Sequence, residues 1–350
     1  MSYVMDIYYG RGQVQKNPLN VALYIMLFPQ LIAGPIVRYE TVANEINCRV
    51  ETAEDFTKGI SRFVVGLCKK IIISNSVAII ADSAFNISDV SSLSVGAAWI
   101  GAIAYTLQIY FDFSGYSDMA IGLGLMFGFH FNENFNYPYI SKTVSEFWRR
   151  WHISLGSWFR DYVYFPLGGS RVKSKAKLVF NLLVVWLLTG IWHGANWTFV
   201  LWGLFYFVIL TLEKLIGIPK MVEKNKFFEF FYRIFTLFAI VIGWVLFRAK
   251  DISTAFAYIG AMFGVTDNSI GFDVMYQFSQ NSFIMFFAIA VSIPVIPFIC
   301  KKIQARVGEN SRKSSLAIDI TQKVMIMSLF VLAISYAVCV SFNPFIYFNF

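Results

Sequence analysis

Charge is what this sequence is short of. Only 14% of its 350 residues are Asp, Glu, Lys or Arg, where a soluble domain carries about 25%. So little polar surface excludes a chain that covers its apolar content in water. Cysteine is scarce as well. Cys48, Cys68, Cys300 and Cys339 stand apart with no C-x-x-C pair, which argues against structural zinc and a disulfide framework and makes them small apolar packing residues. There are 3 histidines, none in H-E-x-x-H or another metal spacing, so no metal is expected. The opening stretch MSYVMDIYYGRGQVQKN has no apolar core long enough for a signal peptide, and insertion is expected to rest on internal helices. Gly122, Gly124 and Gly128 in IGLGLMFG lack the preceding strand and the third spacing of a dinucleotide loop. Small residues at that interval suit close helix packing instead. SGYSD has no second glycine after its serine, so it is not a nucleophile elbow. Low-complexity tracts, long linkers and internal repeats are missing too.

What is present is apolar: 57% hydrophobic and 18% aromatic residues, with a mean hydropathy of +0.59. A spanning helix needs about 20 mostly apolar residues. Strong candidates are 178–196, 197–213, 229–247, 282–299 and 324–341; weaker ones, interrupted by polar residues or proline, are 19–37, 60–81, 95–113 and 115–130. The fold class this implies is all-α: one polytopic transmembrane helical bundle over residues 1–350, with re-entrant or interfacial helices around a central cavity. The net charge of +8 sits in short stretches between apolar runs, not on a basic helix face with interleaved aromatics, so nucleic acid is not the expected partner. The stretches are 170–177 (Arg171, Lys173, Lys175, Lys177), 214–226 (Lys214, Lys220, Lys224, Lys226) and 301–323 (Lys301, Lys302, Arg306, Arg312, Lys313, Lys323). Segment 251–281 has no Lys or Arg. The positive-inside bias makes the three basic stretches cytoplasmic and 251–281 external.

Polar residues inside so apolar a chain are costly and default to a functional hypothesis. His193, in TGIWHGANW (189–197), lies between two apolar runs joined by almost no loop, flanked by Gly190 and Gly194. An imidazole desolvated at bilayer depth is disposed to stay uncharged, as a general base must; a turn histidine bonded to a carbonyl is the alternative. The segment 141–171 mixes aromatics with charges and ends at Pro166, Gly168 and Gly169, as an interfacial or re-entrant helix would. On one helix, Trp148 and His152 would share a face, ringed by Arg149, Arg150 and Arg160. That is either a polar cavity mouth with a collar for a phosphate-bearing donor or an ordinary membrane-interface belt. His130, followed by asparagines and a proline, reads as a loop residue. Asp112 and Asp118 either orient a histidine or pair with Arg149 or Lys142 as structural glue.

Several long stretches resemble the membrane-bound O-acyltransferase family, in particular its branch that acetylates bacterial polysaccharides such as alginate. They are FPQLIAGPIVRYE (28–40), YFDFSGYSDMAIGLGLMFGF (110–129), ENFNYPYIS (133–141), SEFWRRWHISLGSWFRDYVYFPLGGSR (145–171), NLLVVWLLTGIWHGANWTFVLWGLFY (181–206) and NPFIYFNF (343–350). The resemblance implies that the W-H-G histidine, His193, is catalytic and that the R-W-H-I-S histidine, His152, is a second site residue. It also implies acetyl transfer from a cytoplasmic thioester, acetyl-CoA as substrate with no bound cofactor, to hydroxyls of an exported polysaccharide. An extracytoplasmic acetyltransferase would be the partner and the bacterial inner membrane the location. Family members carry further spanning helices ahead of the segment matching SYVMDIY, so a shorter bundle wall is expected here. The competing readings are D-alanyl transfer to teichoic acid, a transporter, and a non-catalytic membrane scaffold.

Overall fold

The computed structural model describes residues 2–31, 34–265, 270–307, 312–339 and 345–346; every regular element among them is helical, apart from one isolated bridge between Leu93 and Ile270. Short helices α1 (Ser2–Tyr8), α2 (Pro18–Met26) and α3 (Tyr39–Cys48) come first. α4 (Ala53–Cys68) runs on through a π-helical turn, Lys69–Ser74, into α5 (Asn75–Phe85), and α6 (Val95–Met126) follows as one rod. Next are α7 (Val144–Arg150), α8 (Ile153–Phe159), α9 (Lys175–His193), α10 (Trp197–Ile216), α11 (Ile218–Lys224) and α12 (Lys226–Arg248). The remainder is α13 (Ile252–Met262), α14 (Phe272–Val291), α15 (Val295–Val307) and α16 (Arg312–Cys339). Among the described residues six runs are long and apolar enough to cross a membrane: 53–85, α9, α10, α12, α14 and the 319–339 part of α16. A lipid-exposed chain must satisfy its backbone polar groups internally, which is why these runs are helices. Several starts are set by side-chain caps, with Thr52, Asn196, Asn225 and Asp251 each accepting an N–H of the first turn.

Several expected boundaries move. Residues 95–113 and 115–130 fuse into α6. The 282–299 candidate is split between α14, which starts at Phe272 and stops at Val291 before Pro294, and the start of α15. Among the described residues of 19–37 there are only the nine-residue α2 and a short 3-10 turn, each too short to span. Segment 251–281, expected as an external loop, holds α13 and the start of α14; its residues 266–269 lie outside the described residues. The basic stretch 301–323 is largely helical, from α15 and α16, and the side chains of Arg306, Arg312 and Lys313 lie outside the described residues. So do Ile32 and Ala33 of the 28–40 stretch and all of 343–350 except Phe345 and Ile346.

The chain divides into two compact units. The first holds residues 1–75, 110–134 and 287–349. Here α4 and the second half of α6 meet through glycines. A Cβ on Gly66 would lie 2.5 Å from the Gly115 carbonyl oxygen, and one on Gly59 2.6 Å from that of Gly122. Only glycine permits that backbone approach, as the spacing in IGLGLMFG suggests. The second unit holds 76–109 and 135–286, and contains both sequence motifs built around tryptophan and histidine.

Candidate active site

α9 and α10 form a tight hairpin. A Cβ on Gly190 would stand 2.5 Å from the Phe199 carbonyl oxygen, and one on Gly203 2.5 Å from that of Trp186. His193 is the last residue of α9. Gly194 closes the helix at φ 149, where a Cβ would strike the Phe199 ring at 2.9 Å, so a side chain there is excluded twice over. Asn196 caps α10 and also donates its amide to the Lys250 carbonyl at 2.7 Å, tying the hairpin end to the start of the α12–α13 turn. The His193 ring meets Trp202 edge-on at 5.1 Å and Phe247 at 5.0 Å between ring centres, with Trp192 at 4.9 Å and Phe199 at 6.2 Å. It is half-buried. His193 stands at the end of its spanning helix, with one edge of the residue open.

The enclosed histidine is His152, which is 4% exposed. α7 ends at Trp151 in an extended conformation, and His152 adopts φ 45, ψ 53 before α8 begins. A left-handed backbone is uncommon outside glycine and marks a position fixed by its surroundings. Because the helix breaks here, Trp148 and His152 do not share one helical face as expected. Instead the reversal carries the His152 ring to 6.2 Å from Trp192, the neighbour of His193. The ring's Nδ1 lies 3.5 Å from the Ser154 hydroxyl. Burial holds the His152 imidazolium well below the ordinary histidine range, and the electrostatic influence of His193 lowers it further.

Beside the hairpin an aromatic cluster gathers on Trp148. Trp148 from α7 packs against Trp186 of α9 at 5.0 Å, Trp202 and Tyr206 of α10 at 5.4 and 4.9 Å, and Trp244 of α12 at 6.4 Å. The indole N–H groups of Trp148, Trp202 and Trp244 and the Tyr206 hydroxyl are buried with no acceptor among the described residues. Single aromatics in so aromatic a sequence carry no sign of this convergence, and nothing in the sequence pattern singles them out.

The other polar residues sort differently. In the first unit, Asp112 is paired with Lys70 and accepts from Ser74 and the Ile346 N–H, while Asp118 binds Arg62 and Lys69 at 2.7 and 2.6 Å. Both carboxylates are thus structural, with partners other than the expected Arg149 or Lys142; Lys142 lies 3.2 Å from Glu229. His130 is an exposed loop residue bonded to Glu45 at 2.8 Å. Of the expected basic collar, Arg150 is bound within its own helix to Glu146 and to the Asn136 carbonyl, Arg160 pairs with adjacent Asp161, and Arg149 is exposed.

Residues 14–253, which include both histidines, match the profile of the MBOAT, membrane-bound O-acyltransferase, family. The chain belongs to that family. Two relatives carry the name "Probable alginate O-acetylase AlgI". The Azotobacter vinelandii one is 45% identical over 76% of this chain and 52% of its own length. The Pseudomonas putida one is 38% identical over 100% of this chain and 73% of its own. The "Peptidoglycan O-acetyltransferase" of Helicobacter pylori is 38% identical over 72% of this chain and 48% of its own. The chain thus spans about half the length of the first and third. Both His193 and His152 lie in the second unit.

Proposed function

We propose that this multi-pass membrane protein moves an acetyl group from a cytoplasmic thioester, acetyl-CoA by chemical class, towards hydroxyls of an exported polysaccharide of the alginate type. The observation that carries this reading is His193 lodged among Trp202, Phe247 and Trp192 at the junction of two spanning helices, with buried His152 beside it. The family and the names of its relatives supply the acyl group and the class of acceptor.

In this mechanism the acceptor hydroxyl attacks the thioester carbonyl carbon while the His193 imidazole takes its proton. The tetrahedral intermediate collapses with cleavage of the C–S bond. The departing thiolate then recovers the proton from His193, which leaves an ester, a free thiol and unchanged enzyme. The Trp202 indole N–H, on the ring that meets His193 edge-on, serves the developing oxyanion. His152 is an uncharged second imidazole that holds the site without adding a buried charge. Arg149 and Arg160, with the basic stretches of the cytoplasmic face, attract the donor's phosphates. The open edge of His193 is where the acceptor side enters. An extracytoplasmic acetyltransferase receives the group, and the bacterial inner membrane is the setting.

The test is His193→Ala in cells making the polymer, with O-acetylation and membrane expression measured together. Loss of a general base costs about 10²–10⁴ in rate, so acetylation is expected to fall to background at normal expression. Wild-type acetylation would remove the assignment.

A further inference from the structure

Glu213 is the most conspicuous buried group the mechanism leaves idle. It sits in the last turn of α10 and is 1% exposed. A carboxylate there opposes the negative end of the helix dipole, and among the described residues it has no cation at ion-pair distance. Its two oxygens take four neutral donors instead. Oε1 accepts the Val144 N–H at 2.8 Å and the Tyr232 hydroxyl at 3.0 Å. Oε2 accepts the Ser145 N–H at 2.8 Å and the Ser145 hydroxyl.

Val144 and Ser145 open α7, the helix that leads to His152. Thr143 caps the next free donor, Glu146 N–H, at 3.1 Å. α7 is only seven residues long, too short to persist without outside support. It also runs back along α10: Val144 lies at Glu213, Trp148 at Tyr206 and Trp202, and His152 beside the α9–α10 hairpin. The aromatic contacts along that path are broad and non-directional, and a helix held by them alone can slide. Directional bonds at Glu213 stop it. A slip of one turn would displace His152 by about 5.4 Å.

We propose that Glu213 is a positioning residue that sets the axial register of α7 against α10, and so fixes the His152 ring on the side of His193 from the opposite end of α7. The inference rests on the reading that transfer occurs at the two histidines, but the register can be measured without transfer. Glu213→Gln keeps the side-chain length, yet one of its two ends presents an amide N–H₂ to N–H donors that need an acceptor. With ¹⁵N-histidine labelling the chain gives three imidazole signals, and His130, in the other unit, serves as the internal reference.

In Glu213→Gln the His152 signals are expected to move while those of His130 stay. Turnover should fall about tenfold, with KM for the thioester held within twofold, because misplacing a site group by about 1 Å costs rate before it costs binding. Glu213→Asp, one methylene shorter but with both oxygens, should recover part of the rate. If Glu213→Gln does not fold, Ser145→Ala removes one of the four donors and should shift His152 in the same direction by less. An unmoved His152 signal in a folded variant overturns the proposal. A moved signal with unchanged turnover overturns its link to transfer. Retained turnover in His193→Ala would remove the proposed function and leave the register to the spectrum.

Discussion

The ion pairs of the first unit and the aromatic core of the second handle polar groups in opposite ways. In the first, Arg62, Lys69 and Lys70 face Asp112, Asp118 and Glu133, and each buried charge is cancelled by a partner. In the second, the core around the histidines carries imidazoles, indoles and a phenol, and several of its N–H and O–H groups have no acceptor among the described residues. A buried charge with neither a counter-ion nor several hydrogen bonds costs far more than an unmade neutral hydrogen bond, which costs only about 1–3 kcal/mol. The paired charges have their partners already. The aromatic core holds donors in reserve. The comparison teaches that pairing marks scaffold and restraint marks the site, and this is why Asp112 and Asp118, attractive as triad members, belong to the scaffold.

The largest effect should come from breaking a pair in the first unit. The Lys70 and Asp112 side chains are 5% and 3% exposed, so removing one strands the other. Lys70→Met is expected to destabilise the protein by about 3–5 kcal/mol, and Lys70→Met with Asp112→Leu to recover most of that loss. Denaturation of purified protein in detergent measures both. A double variant no better than the single would mean that the pair is not self-contained.

The second unit should respond the other way. Trp202→Phe keeps an aromatic ring against His193 and deletes the indole N–H. Since that N–H has no acceptor to lose among the described residues, any drop in the thermal midpoint should be only that of a smaller ring in a buried site. Turnover should drop on the order of 10²-fold, the size expected for one oxyanion donor. A fall in stability with unchanged turnover would make Trp202 an ordinary packing residue and undo the contrast.

How much of this is legible in the sequence follows the same division. α9, α10 and α12 fall on the runs 178–196, 197–213 and 229–247 because hydropathy is a local property. α6 reads as two pieces because Ser114 and Gly115 look like a break; the helix continues because Gly115 lies against Gly66, a contact only the folded chain supplies. The start of α14 is hidden because Gln277, Gln280 and Asn281 look too polar for a span. His193 is legible, since a histidine set between glycines in an apolar run is costly to keep there without a task. The left-handed turn at His152 is not, because the sign of φ leaves no trace in composition. Glu213 is invisible for a related reason. Next to Lys214 it resembles an ordinary helix end, and its backbone donors are 68 and 69 residues earlier.

The smallest effect sharpens the comparison at a single proton. His152 is buried and its imidazolium is disfavoured in the native state, while an unfolded chain binds the proton with a pKa near 6.5. As pH falls below about 6.5 the unfolded state gains a proton that the native state refuses, so native stability declines. Above that pH neither state binds it and nothing is lost. One such group costs at most about 1.4 kcal/mol per pH unit, or roughly 1 kcal/mol between pH 6.5 and 5.5. His152→Asn removes the titration, so its thermal midpoint should drop less than that of the wild type between pH 7.5 and 5.5. Equal acid sensitivity in wild type and His152→Asn would mean that the ring takes up its proton in the folded protein, and the aromatic core would then tolerate a charged imidazole.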